Sequence, residues 1–172
     1  MKTKVVLTLS LVFVLGLVFS VSASAQIKAG SPEDKAFTAI DAETNPDAKI
    51  NKLLDFEKTF PNSSVMSTVY TMLMTTYQQK GDTAKANEYG EKVLKVDPQD
   101  INALMSVSRN YAMAKQNLTT AVAYAQRAVD AVAKKKTTSP PPDYTDAQWT
   151  QYLNTLDNSA KALLNFAKSV KP

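Results

Sequence analysis

"EYGEKVLKVDPQDINAL", residues 88–104, closes one helical pattern at Asp97-Pro98 and opens another at Ile101. Proline has no N–H to donate and its ring clashes with the preceding turn, so Pro98 stops the first run. Asp100 then offers a side-chain acceptor to the free N–H groups that begin the second. Glu88 and Lys92 stand four residues apart within the first run, an ordinary exposed helix pair. Such deliberate punctuation raises the question of whether the seam belongs to a series.

Working outward, similar boundaries recur. Ser31-Pro32-Glu33-Asp34 reads as cap, first-turn proline and first-turn acids of a short helix reaching about Glu43. Asn45-Pro46-Asp47 opens a second, to about Phe60, and Pro61-Asn62-Ser63-Ser64 breaks it and caps a third. The third carries Val69, Tyr70, Leu73 and Tyr77 on one face. Lys80-Gly81-Asp82 turns into a fourth helix, Thr83 to Val96; a fifth runs from Ile101 to about Lys115 and a sixth from about Leu118 to Lys135. "KTTSPPPDYTD" reads as a stiff connection, and Thr145 with Gln148 forms a capping box for a last long helix. That helix has an apolar stripe beginning Trp149, Tyr152, Leu153 and Leu156, and a polar face including Gln151, Asn154 and Asn158. One side must pack and the other must meet water, as in a terminal cap.

The helix pairs look like copies. A shift of 34 places Tyr70 on Leu104, Leu73 on Val107 and Tyr77 on Tyr111. A shift of 35 places Ala86 on Ala121, Tyr89 on Tyr124, Gly90 on Ala125 and Val93 on Ala128, the extra residue falling in the "AKQNLT" turn. Pro98 finds Pro61 at 37 residues. Counted from Ser67, the residues Tyr70, Leu73, Tyr77, Gly81, Asp82, Ala86, Val93 and Pro98 fall at or near signature positions, and here the chain resembles the tetratricopeptide repeat (TPR) family. The resemblance is good over residues 67–133 and looser over 33–66. Met74 departs from it where the family usually has a small residue, and Gly90 where it favours an aromatic one. The layout around "NPDAKINKLLDFEKTFPNS" is similar to small exported bacterial TPR proteins.

The resemblance implies an all-α solenoid of antiparallel helix pairs. Its repeats would lie at about 33–66, 67–100 and 101–135, with a linker at 136–144 and a capping helix at 145–170. Tyr77, Tyr111 and Trp149 are then the inter-helix anchors, with Ala86, Ala121 and Ala128 as the small residues that let paired helices approach. It also implies a groove lined by the first helices of successive repeats, for which Thr71, Thr75, Gln78, Asn102, Met105, Arg109 and Met113 are the candidates. Of the family's clamp for a terminal carboxylate, only Asn102 and Arg109 have counterparts, so that specificity does not carry over. Arg109 remains suited to pairing with a carboxylate of a partner.

Residues 1–25 are expected to be a signal peptide. Lys2 and Lys4 precede the apolar run "VVLTLSLVFVLGLVF", and Ala23-Ser24-Ala25 gives a small-x-small cleavage site. Residues 26–172 then form one domain, exported to the periplasm or beyond, with no membrane insertion after cleavage. Losing Lys2 and Lys4 lowers the net charge from +4 to +2, too little for a dedicated nucleic-acid binder. Lys134-Lys135-Lys136 reads as a solvated helix end.

The chain has no cysteine and no histidine. Disulfides, thiolate chemistry and a lipidated cysteine are excluded, and with them go the commonest metal ligand and the usual general base. No metal-loop or phosphate-loop spacing appears, so no cofactor is expected. Asn62-Ser63-Ser64 and Asn117-Leu118-Thr119 match the glycosylation triplet but read as turns. Met66, Met72, Met74, Met105 and Met113 read partly as core filling and partly as adaptable surface.

The expectation is a non-catalytic protein-interaction module or assembly scaffold of a bacterial envelope, binding a protein or peptide partner. Two alternatives stand beside it. One is a small-ligand carrier with a closed apolar cavity near Trp149. The other is a carboxylate-based hydrolase using Glu88 or Glu91.

Overall fold

A computed structural model describes residues 27–171. The leader-like segment, residues 1–25, lies outside the described residues. Among those described there are seven helices: α1 Pro32–Asp41, α2 Pro46–Thr59, α3 Met66–Gln79, α4 Thr83–Val96, α5 Ile101–Met113, α6 Leu118–Lys135 and α7 Asp146–Ser169. Each packs on the next, and α7 also packs on α5. The fold is all-α. No helix among the described residues is long and apolar enough to cross a membrane.

Most boundaries sit where the polar punctuation places them. Ser31, Asn45, Asp82 and Asp100 each accept a hydrogen bond from the first turn of the helix they precede. Thr145 and Gln148 close the full capping box of α7. Some features differ from the sequence reading. Ser63 and Ser64 do not cap α3; the Ser63 Oγ accepts from Val65 N, and the helix begins at Met66 without a side-chain cap. The first helix stops at Asp41, because Glu43 turns its carboxylate to Asn45 N and to Lys52. The proline-rich connection is bent, with Tyr144 N donating to Pro141 O across a turn.

The fifth helix ends at Met113 instead of Lys115, and the cause is instructive. After α3, Gly81 takes φ 75° while Gly81 N and Asp82 N donate to Gln78 O and Tyr77 O. After α5, Lys115 takes φ 52° while Lys115 N and Gln116 N donate to Ala112 O and Tyr111 O. The second turn reproduces the first 34 residues on, with lysine in the left-handed role that glycine fills without strain. For an L-residue that conformation costs about 1–2 kcal/mol. Lys115→Gly will therefore raise stability by about 1 kcal/mol, less the extra freedom glycine gives the unfolded chain. Urea unfolding measures it, and an unchanged or lower midpoint would show that the lysine is not strained.

A first apolar cluster joins α1–α4 to α5 and α6 around Ile40, Leu53, Phe56, Val69, Leu73, Val93 and Leu104. A second joins α5, α6 and α7 through Ala112, Ala121, Ala125, Leu163, Leu164 and Ala167. Ala86, Ala121 and Ala128 are fully buried, as close helix approach requires. Ser108, also fully buried, is satisfied by donating to Ala121 O at 2.8 Å. Of the three expected anchors only Trp149 is buried; Tyr77 and Tyr111 are half-buried. Tyr77 stacks on Tyr89, ring centres 5.7 Å apart, and Tyr111 donates its hydroxyl to Glu91 at 3.2 Å.

Polar ties along the even-numbered helices recur with nearly the same separation, 32 and 33 residues. Glu57 on α2 accepts from Tyr89 OH on α4, and Lys92 lies 4.3 Å from the centre of the Tyr89 ring. Glu91 on α4 accepts from Tyr124 OH on α6, and Arg127 lies 5.1 Å from the centre of that ring. Burial, then the adjoining carboxylates, raises both hydroxyls above the usual tyrosine value, Tyr124 to about 12. Both stay protonated as donors. Lys136 and Lys161 hold Asp157 of α7 at 2.7 and 2.9 Å, and these hydrogen bonds lower its pKa below the usual carboxylate value. The first of those pairs pins α7 to the end of α6.

Candidate functional site

Helices α3, α5 and α7 share a groove of about 420 Å3. From α3 come Thr71, Met74, Thr75 and Gln78; from α5, Asn102, Met105, Ser106, Arg109 and Asn110; from α7, Leu156 and Ser159. Spacings of three, four and seven residues put each set on a single helix face. Six of the seven side chains singled out from the sequence line this groove together. Met113 does not; it stands 69% exposed at the end of α5, because the helix terminates there.

The groove is fixed from below and open above. Met74 is buried beneath it and Met105 half-buried between the two apolar clusters. Gln78 donates to Ser106 Oγ, joining α3 to α5, and Asn110 donates to Asn87 Oδ1 at 2.7 Å, joining α5 to α4. Thr71 and Thr75 donate to Ser67 O and Thr71 O, which leaves their oxygens as acceptors. Arg109 is exposed and makes no hydrogen bond or ion pair among the described residues. Among the described residues no carboxylate lines the groove. The surface is therefore amide- and hydroxyl-rich over a methionine floor, with a single free cation among the described residues.

Sequence reasoning does not find Leu156 and Ser159. Leu156 belongs to the apolar stripe of α7 and reads as packing; only the position of α7 beside α5 turns it toward the groove.

Glu88 and Glu91, the carboxylates weighed for hydrolysis, each have partners of their own, and the neighbouring Asp97 and Asp100 serve as turn acceptors through Oδ1. Glu88 pairs with Lys85 at 2.8 Å, and Glu91 accepts from both Tyr111 and Tyr124. Asp97 and Asp100 accept from Gln99 N and Ala103 N in the α4–α5 turn. The pocket against Trp149, about 320 Å3, is lined by Lys136, Thr138, Pro140, Asp146, Thr150, Leu153 and Asn154 as well as the indole; its lining surface is mainly apolar, but it opens to solvent and is not an enclosed cavity. Compared with known protein families and with curated proteins, the chain matches none of them.

Proposed function

We propose that the chain is an exported, non-catalytic interaction module built as a TPR-like solenoid, and that it holds an extended segment of a partner protein in the α3–α5–α7 groove. The observation that carries this reading is the groove itself: six side chains chosen by repeat position share one surface, five of them around an arginine that is unpaired among the described residues. The recurring turn after α3 and α5, and the recurring Glu–Tyr ties with a cation over each ring, support the repeat reading. In a stack of repeats the same contacts form between each unit and the next.

Affinity in such a groove comes from a few side chains on a preformed surface. Arg109 offers a forked donor to a carboxylate or to backbone carbonyls, while Met105 and Leu156 accept an apolar side chain. The Trp149 pocket is open to solvent where a carrier needs a closed cavity, which favours this reading over the carrier.

A photo-crosslinking amino acid at Thr75, introduced in cells, tests it. The protein should capture a discrete partner, and Arg109→Ala should weaken that capture by about tenfold or more, the loss of one charge-assisted hydrogen bond. Identical capture by the Asn102→Ala/Arg109→Glu variant, with its helical content intact, would sink the groove reading.

A further inference from the structure

The groove continues past Asn102, which also lines a second pocket of about 320 Å3. There the α4–α5 turn, the end of α6 and the second turn of α7 converge. Among the described residues its lining includes one aromatic ring, Tyr152, 38% exposed. That ring is braced: it stacks on Trp149 with centres 5.4 Å apart and planes at 22°, and Tyr144 lies 5.9 Å away. Trp149 is in turn buried, so the platform is held before any ligand arrives.

Around the ring the polar groups are mixed in kind. Asp97 and Asp100 each spend Oδ1 on a backbone N–H, leaving Oδ2 as an acceptor. Lys134 and Lys135 line the pocket as donors and form no ion pair among the described residues. Asn102 supplies both a donor and an acceptor. Two ammonium groups balance two carboxylates, so neither an anion nor a cation is favoured. Only about half of the lining is apolar, less than in most small-molecule pockets, which are lined mainly by apolar groups. A hydroxyl both donates and accepts, and a ring of hydroxyls around a flat C–H face satisfies this whole set at once.

The geometry points to a saccharide site in this pocket, taking a short neutral pyranose segment with its C–H face on Tyr152 and its hydroxyls shared among Asp97, Asp100, Asn102 and Lys134. It uses none of the Arg109 chemistry and does not depend on the partner-binding reading.

Amide NMR titration with cellotetraose tests it, because that all-equatorial chain presents a flat apolar face. Saturable shifts at Asn102, Lys134 and Tyr152 in the low-millimolar range are expected. Tyr152→Ala should weaken binding by about tenfold, Tyr152→Phe should retain it, and Arg109→Glu should leave it unchanged. Half-exposed Tyr152 can be truncated with the fold kept, which circular dichroism checks. The inference fails if neither cellotetraose nor its acetamido analogue chitotetraose gives saturable shifts, or if Tyr152→Ala binds as well as the parent. It fails equally if an acidic peptide displaces the sugar from these resonances, since the pocket is then the far end of a peptide groove.

Discussion

Trp149→Ala will destabilise the protein by about 3–5 kcal/mol, whereas Trp149→Phe will change stability by no more than about 1 kcal/mol. The indole is 7% exposed, stacked on Tyr152 and met edge-on by Tyr144 at 5.4 Å. Removing it opens a cavity where α7 first meets α6. Yet its Nε1 is buried without a hydrogen-bond partner among the described residues, and an unmade buried hydrogen bond costs about 1–3 kcal/mol. Phenylalanine keeps the stacking, gives up some buried area and removes that orphaned donor; the two effects oppose each other. Urea unfolding of the two variants separates them. Amide exchange should also locate the alanine effect, with faster exchange along α7 than along α3 and α4, because Trp149 lies at one end of the chain of packed helices. A cost below about 1 kcal/mol for alanine would mean that Leu163, Leu164 and Ala167 alone hold the helix.

Local chemistry explains which features the sequence reveals. Asn45, Asp82, Asp100 and Thr145 bond within their own first turn, so short-range pattern suffices to place them. The groove residues of α3 and α5 are readable for a related reason: helical spacing fixes which side chains share a face, and recurrence at 34 residues says which faces correspond. Depth is harder. Tyr77 and Tyr111 look like buried anchors by position, but each is only half-buried, and Tyr111 donates to a carboxylate on another helix. Partners separated by 33 residues, such as Glu91 and Tyr124, leave no local mark. The same applies to Leu156 and Ser159. Met113 illustrates the opposite failure: its register is right, but the left-handed Lys115 ends the helix before that face can extend.

Gly90→Leu will cost about 3 kcal/mol or more, at or beyond the usual overpacking range, although leucine is by far the better helix former. A Cβ at position 90 would lie 2.4 Å from Val107 Cγ2 and 3.3 Å from Met74 Sδ. Val107 is fully buried and β-branched, so it has little rotamer freedom with which to retreat. Here the two departures from the TPR pattern answer each other. Met74 is large where a small residue is usual, Gly90 is minimal where an aromatic one is usual, and the volume has moved from α4 to α3. Gly90→Ala isolates the clash. Its helix-propensity gain of about 1 kcal/mol opposes an overpacking cost of about 1–3 kcal/mol, leaving a net loss. Val107→Ala removes the methyl that the new Cβ meets, so the double variant should be more stable than the sum of the single effects by about 1–2 kcal/mol. Additive losses in that cycle would show that α4 and α5 shift apart to admit a side chain, and the close approach at Gly90 would then be incidental to the packing of these helices.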